Sequence, residues 1–350
     1  MALNKENVFK NQLHSIASVR LPIIIAIVSC HVMIPCEPNT IEWYLIKFIG
    51  HETASIGVPL FFFISGLLFF ANINKDTNNF IFIKEIWPYK IKKRVTSILI
   101  PYLCWNLIAY IFYAIIDKHF EWTLLFSHKV YWDWNYEVKG FFFYPADGPL
   151  WFLRNLFIIS LITPFIYLII KLIPPKIGVC LLSISYILNI GVQYDFGMIN
   201  TFCLFTMGAY WGYYKITSLN KIYNLGKLCL ILFITISITD LYISNIYQRH
   251  EYLQHIGILI GFPVMFFLSR NLPSSYKNID FPSLSMFIFC SHGFLLRPIL
   301  FITNKLNISY PLITYVLNIV LTSLLCIISY YLMKQFFPKK ISKILMGGRI

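Results

Sequence analysis

Long apolar runs recur along the whole chain and are separated by short polar segments. A bilayer core needs about 20 predominantly apolar residues per helix, and ten runs approach or reach that length. The predicted spans are Ile16–Ile34, Ile56–Asn72, Thr96–Ile116, Pro149–Ile170, Ile177–Gly191, Met198–Tyr214, Leu225–Ser244, Leu253–Ser269, Leu284–Ile302 and Leu312–Phe336. The pattern predicts an all-α fold, a polytopic transmembrane helical bundle of about ten spans. The fifth and sixth runs are short, which also fits tilted or re-entrant segments.

The composition favours a membrane protein over a soluble one. Of the 350 residues, 58% are hydrophobic and only 13% are charged, whereas soluble domains are about 25% charged. With so few charged residues, the chain has too little polar surface to cover a water-soluble protein of this size. We therefore expect a multi-pass protein of the cytoplasmic (plasma) membrane, in contact with membrane lipids. No internal repeat, coiled coil or low-complexity tail divides the chain, so residues 1–350 are predicted to form a single membrane-embedded domain.

The positive charge is distributed in a way that predicts orientation. The net charge is +14, and the Lys and Arg residues form short clusters between the apolar runs. With the N-terminus inside, 20 of the 29 lie in cytoplasmic segments, 7 lie outside, and Arg20 and Arg154 lie within spans. Such a bias obeys the positive-inside rule and predicts that both termini are cytoplasmic. Clusters split between loops do not form the single basic face that nucleic-acid binding needs, so no nucleic-acid partner is expected.

Cysteine usage points to no metal site. The eight cysteines include no C-x-x-C pair and no Cys/His spacing typical of metal ligands. Cysteines inside apolar runs behave as small hydrophobic side chains. We therefore expect structural cysteines and no metal.

The first span contains two ionisable side chains, Arg20 and His31. Placing an ionisable side chain within a bilayer costs about 2.5–3.5 kcal/mol of insertion free energy, so each such residue calls for a functional or structural explanation. At a rise of about 1.5 Å per residue, the two lie roughly 16 Å apart along one helix. Two interpretations remain at this point. Either the pair has a function, or the arginine extends to the interface while the histidine is hydrogen-bonded within the bundle.

Five sequence strings carry a specific resemblance. They are SVRLPIIIAIVSCH (Ser18–His31), GVPLFFFISGLLFF (Gly57–Phe70), KIKKRVTSILIPYLCW (Lys90–Trp105), GPLWFLRNLF (Gly148–Phe157) and FIFCSHGFLL (Phe287–Leu296). In this order, over nearly the whole chain, they resemble the acyltransferase-3 family of integral membrane O-acyltransferases. The chain is similar to the stand-alone form, without a fused external hydrolase-like domain.

The resemblance implies roles for the first-span pair. His31 would be the catalytic histidine, and Arg20 would hold or orient the acyl-CoA donor, acetyl-CoA in the simplest case. A histidine is suited to accept a proton from a hydroxyl at neutral pH, and an arginine donates paired hydrogen bonds to phosphate or carbonyl oxygens. Direct transfer with His31 as the base is the preferred mechanism, and an acyl-histidine intermediate is the alternative.

The basic run before the third span is the second expected site. Lys90, Lys93 and Arg94 are expected to bind the phosphates of CoA at the cytoplasmic face, where a cationic mouth would attract them. The alternative is a loop that only sets topology. The family usually has a second arginine three residues after the first, and Ser97 occupies that place here.

The acceptor is expected on the opposite side. Trp151 and Arg154 begin the fourth span, and His292 lies at the predicted level of His31; all three are predicted to bind the substrate. A structural histidine is the alternative for His292, and Ser65 is predicted to be a helix-packing residue. The external loop Asp117–Gly148 is rich in aromatic residues, which suits either interfacial anchoring or sugar contact.

Together these observations predict a membrane O-acyltransferase. It would transfer an acyl group, expected to be acetyl, from cytoplasmic acyl-CoA to a hydroxyl of an extracytoplasmic cell-envelope saccharide or lipid-linked glycan. The alternatives are a lipid-linked saccharide flippase or another transporter, which usually has internal repeats, and a polysaccharide polymerase. The sequence does not predict the oligomeric state.

Overall fold

The computed structural model describes residues 19–119, 145–190, 197–216, 219–246, 251–270, 281–306 and 308–348. These residues are almost entirely helical and include no strand, which confirms the all-α prediction. The helices are α1 (Val19–His31), α2 (Ile41–Phe70), α3 (Asn79–Phe112, continuing to His119), α4 (Gly148–Leu161), α5 (Thr163–Leu172), α6 (Pro175–Ile187), α7 (Met198–Tyr213), α8 (Leu219–Ile246), α9 (Glu251–Arg270), α10 (Phe281–Lys305), α11 (Pro311–Phe336) and α12 (Lys339–Leu345).

Each predicted span overlaps one of these helices, except the fourth, which overlaps two, and the helices differ in length. Six in the described part of the chain are long and apolar enough to cross a membrane, and α4 with α5 makes a seventh if the bent pair is one span. The first, fifth and sixth predicted spans fall on the shorter α1, α6 and α7. The count of ten spans and the cytoplasmic position of both termini therefore stay predictions. Most of the Asp117–Gly148 loop lies outside the described residues.

Helices α2 and α3 begin well before the apolar runs that predicted them. In α2, the Thr40 hydroxyl accepts a hydrogen bond from the backbone N–H of Trp43 and caps the first turn. In α3, the Asn78 side chain caps the N–H of Phe80 in the same way. Both helices contain wider π-helical turns, at Phe48–Thr53 in α2 and at Val95–Leu99 in α3. Such turns change the direction of side chains and are frequent at functional sites.

The fourth predicted span, Pro149–Ile170, is broken into two helices. α4 and α5 meet at Ile162 with a bend of 61°. Pro164 explains the break, because a proline lacks the backbone N–H that would continue the helix and its ring clashes with the preceding turn. The hydroxyl of Thr163 donates to the carbonyl of Ser160 at 2.7 Å and satisfies one of the carbonyls freed at the bend.

Glycines bring α2 and α7 into backbone contact. A Cβ added at Gly208 of α7 would lie 2.7 Å from the carbonyl carbon of Phe63 and 3.0 Å from the backbone nitrogen of Leu67. A Cβ added at Gly66 of α2 would likewise lie 2.8 Å from the carbonyl carbon of Phe205 in α7. Small residues permit this close approach in membrane bundles. The contact fixes α2, which carries part of the site described below.

The C-terminal helices support α1 and α3. On α11, the buried Tyr315 hydroxyl donates to the carbonyl of Ser29 at 2.9 Å, two residues before His31. The indole N–H of Trp105 on α3 donates to the carbonyl of Leu345 on α12 at 3.0 Å. These contacts hold the end of α1 and the middle of α3 against the rest of the bundle.

Candidate active site

The structure brings the two predicted histidines together. His31 ends α1 and His292 lies in the middle of α10, with ring centroids 5.2 Å apart and planes tilted by 45°. His292 is fully buried and His31 is half-buried. Arg297, further along α10, interacts electrostatically with His31. Two imidazoles from distant parts of the chain therefore share one location.

Backbone contacts determine which nitrogen of His292 carries the proton. Its Nδ1 lies 2.8 Å from the carbonyl oxygen of Phe289 and 3.1 Å from that of Ile288. Carbonyl oxygens only accept hydrogen bonds, so this network assigns the proton to Nδ1 and leaves a lone pair on Nε2. Nε2 is buried and makes no hydrogen bond within the described part of the chain. His292 thus presents a proton acceptor at the site.

A buried carboxylate lies beside the histidine pair. Asp147 is fully buried just before α4, and a Cβ added at Gly293 would lie 2.7 Å from its carboxyl carbon. Gly293 immediately follows His292, so only a residue without a side chain admits the carboxylate here. The amide oxygen of the buried Asn106 accepts from the backbone N–H of Ala146 at 2.7 Å and holds the segment in place.

Arg154 is buried one helical turn after Trp151, near the start of α4. Its Nε and Nη2 both donate to the amide oxygen of Asn155, at 3.0 and 2.8 Å. It also interacts electrostatically with Tyr102 of α3. The half-buried Trp151 packs against Phe62, with ring centroids 6.1 Å apart. The predicted substrate-binding role of Trp151 and Arg154 stays a prediction.

The two predicted arginines, Arg20 and Arg94, line one cavity of about 220 Å³. Its other polar side chains are Ser65, Ser97 and Ser285, and the rest of its lining is apolar. The Arg94 guanidinium donates to the Ser65 hydroxyl at 3.0 Å through Nη1 and to the Ser65 carbonyl at 3.3 Å through Nη2. Ser65 therefore orients Arg94, in addition to its predicted packing role. Below, this space is called the arginine cavity.

The two predicted lysines occupy different positions. Lys90 donates to the carbonyl of Phe69 at 2.6 Å and lies over the Phe69 ring, so it ties α3 to the end of α2. Lys93 is exposed, with its ammonium 4.4 Å from the centroid of the Tyr89 ring. Neither lysine lines the arginine cavity. Of the three basic residues expected to bind the donor, only Arg94 reaches this space.

Sequence reasoning missed several residues around the site. Asp147 and Asn155 adjoin motifs that were recognised, so their positions next to Gly148 and Arg154 were the available signal. Glu52 is also buried, in the π-helical turn of α2, whose Gly50 packs against Ser29 of α1. A carboxylate at the edge of an apolar run was the signal there.

A cationic cavity and a histidine pair both lie inside a bundle of apolar helices, several of which are long enough to cross a membrane. The family model described as an acyltransferase domain, that of the acyltransferase-3 family, matches residues 13–332. The chain therefore belongs to the acyltransferase-3 family, which confirms the resemblance and supports a multi-pass membrane acyltransferase. No curated protein matches the chain, and no solved structure matches it.

Proposed function

We propose that this protein transfers an acyl group, in the simplest case acetyl, from acyl-CoA to a hydroxyl of an extracytoplasmic cell-envelope saccharide or its lipid-linked precursor. The plasma membrane is its proposed location. One observation carries the proposal: the arginine cavity extends to Phe289, whose ring centroid is 5.9 Å from that of His292. The cationic side chains and the imidazole of His292 thus lie near the same ring, and the proposal joins them into one route for the acyl group.

The donor would enter at the cationic end. Arg20 and Arg94 supply planar donors suited to phosphate and carbonyl oxygens, and Arg94 is already oriented by Ser65. The apolar part of the lining suits the thioester arm of CoA, which is uncharged between the phosphates and the acyl group. In this proposal Lys90 and Lys93 contribute only to the positive charge at the cytoplasmic mouth.

The chemistry follows from the histidine pair. His31 accepts the proton of the acceptor hydroxyl as the oxygen attacks the thioester carbonyl. The new C–O bond forms, the C–S bond breaks, and the proton passes to the departing thiolate to give free CoA. His292 offers Nε2 as a hydrogen-bond acceptor, which orients an N–H of His31 or the hydroxyl itself. No metal takes part in this scheme. An acyl-histidine route instead requires an adduct on His31 when no acceptor is present.

The test is a thiol-release and acyl-transfer assay on purified protein in lipid nanodiscs, with acetyl-CoA and envelope glycans as substrates. Wild type should release CoA and acylate the glycan. His31→Ala should lose at least about 99% of the rate, since general base catalysis is worth about 10²–10⁴-fold. His255→Ala is the matched control, because His255 is another buried histidine, packed against Tyr186 with ring centroids 4.5 Å apart, away from this pair.

Two outcomes would overturn the proposal. If wild type consumes no acyl-CoA with any envelope glycan, the activity is wrong. If His31→Ala keeps more than about a tenth of the wild-type rate, His31 is not the base. Intact-protein mass spectrometry without acceptor separates the two routes, because only the acyl-histidine route gives an added acyl mass. The flippase and polymerase alternatives predict no thiol release.

A further inference from the structure

Two aromatic rings in the lining of the arginine cavity pack against each other. Phe152 of α4 and Phe289 of α10 both line the cavity. Their ring centroids are 5.1 Å apart and their planes meet at 61°, close to an edge-to-face arrangement. Both side chains are almost fully buried. They come from different helices, so together they span the gap between α4 and α10.

The histidine pair lies beside one of these rings, that of Phe289. The Phe289 ring is 5.9 Å from that of His292, and His292 is 5.2 Å from His31, measured between centroids. Phe289 and His292 are one helical turn apart, which places the imidazole about 4.5 Å further along α10. Phe289 thus adjoins both the arginine cavity and the histidine pair.

Packing behind the rings limits how far they move. Phe62 of α2 lies 4.6 Å from Phe152 between centroids, and Phe61 contributes a further ring at 6.1 Å. Phe62 in turn packs against Trp151. In a close-packed interior, a ring backed on several sides rotates in place more easily than it translates. Phe152 is therefore held against Phe289.

We propose that Phe152 and Phe289 form an aromatic partition that selects the acyl group, admitting short acyl groups to the histidine pair and holding back long ones. This inference rests on the proposed function, since it concerns the donor of that reaction. An acetyl group passes when a ring rotates in place. Each further methylene instead needs space near the histidine pair that Phe152, Phe289 and Phe62 already fill. The partition also keeps water in the cavity from the thioester once the acyl group has crossed.

Binding and turnover of acetyl-CoA and octanoyl-CoA test the partition. Wild type should prefer acetyl-CoA in transfer. Phe289→Ala and Phe152→Ala open space for additional methylenes, and each buried methylene increases affinity by about fourfold. The ratio of octanoyl-CoA to acetyl-CoA affinity should therefore rise by at least about tenfold in both variants. The ratio of their kcat/KM values should shift in the same direction, and thioester hydrolysis without acceptor should increase.

Phe287→Ala is the matched control. Phe287 is on the same helix and equally buried, but its ring packs against Trp105 and Tyr330 and does not line the cavity. It should leave the octanoyl-to-acetyl ratio unchanged. Phe289→Leu keeps an apolar side chain and should shift the octanoyl-to-acetyl ratio less than Phe289→Ala does. The leucine variant therefore still tests the partition if the alanine variant does not fold.

The outcomes separate this inference from the proposed function. If wild type binds and transfers acetyl but the ratio stays the same in Phe289→Ala, Phe289→Leu and Phe152→Ala, the partition is wrong and the function stands. An equal shift in Phe287→Ala also overturns the partition, because the effect would then be general loosening of the bundle. If wild type binds no acyl-CoA, both proposals are wrong.

Discussion

Replacing Gly208 by alanine is expected to push α2 away from α7 and destabilise the bundle. The added Cβ would lie 2.7 Å from the Phe63 carbonyl carbon and 3.0 Å from the Leu67 nitrogen, where favourable contacts are about 3.5–4.0 Å. The Phe63 carbonyl oxygen lies closer still, so the helices must separate by more than about 1 Å. Overpacking of this kind costs about 1–3 kcal/mol, and the better helix propensity of alanine returns about 0.5–1 kcal/mol. Because the clash is with backbone atoms, the cost lies at the upper end of that range, and the expected net loss is about 2 kcal/mol.

Thermal unfolding of purified variants in one detergent measures this effect. Gly257→Ala on α9 is the control, because its added Cβ would meet only the Ile236 side chain, at an ordinary 3.6 Å. It should be neutral or slightly more stable than wild type, while Gly208→Ala should have a clearly lower Tm. Since α2 carries Ser65 into the arginine cavity, Gly208→Ala should also weaken acyl-CoA binding. Equal Tm values for the two variants would refute the backbone contact between α2 and α7.

Two further predictions concern side-chain hydrogen bonds. Arg94→Lys should weaken acyl-CoA binding by about tenfold, because lysine lacks the planar fork that donates to both oxygens of Ser65. Titration calorimetry at fixed salt measures this affinity, with Lys93→Gln at an exposed position as the control. Equal losses of affinity in the two variants would contradict the role assigned to Arg94. Tyr315→Phe should lower the free energy of unfolding by about 1 kcal/mol, because it removes the hydroxyl that donates to the Ser29 carbonyl. An unchanged denaturation midpoint would show that this hydrogen bond does not stabilise the end of α1.

The helices were largely predictable from the apolar pattern, whereas their ends were not. Hydropathy averages over a window, so it does not register the single capping side chains Thr40 and Asn78 that start α2 and α3 early. The break before Pro164 was hidden for a related reason, since both sides of the bend are equally apolar. Lipid-facing and core-facing helices also have similar composition, so the number of spans does not follow from helix positions alone.

The candidate site was also only partly predictable from the sequence. His31, His292 and Arg20 were visible because ionisable groups are rare in apolar runs, and Arg94 because it ends a basic run. The structure places the four in two neighbouring groups. The pairing of Phe152 with Phe289 was not visible. A phenylalanine in a span looks the same in the sequence whether it faces lipid, the core or a cavity, and only the packing of α4 against α10 distinguishes these cases.

The central claim is that one route through the bundle connects a donor site on the cytoplasmic side with the histidine pair. Sealed proteoliposomes of known protein orientation test it most directly, with membrane-impermeant acetyl-CoA supplied to one face and the saccharide acceptor to the other. The account predicts CoA release only when the donor is presented to the face that exposes Lys93, with acylated saccharide on the opposite face, and loss of both signals in His31→Ala. Release of CoA from the other face, or acylated saccharide on the donor side, would contradict it.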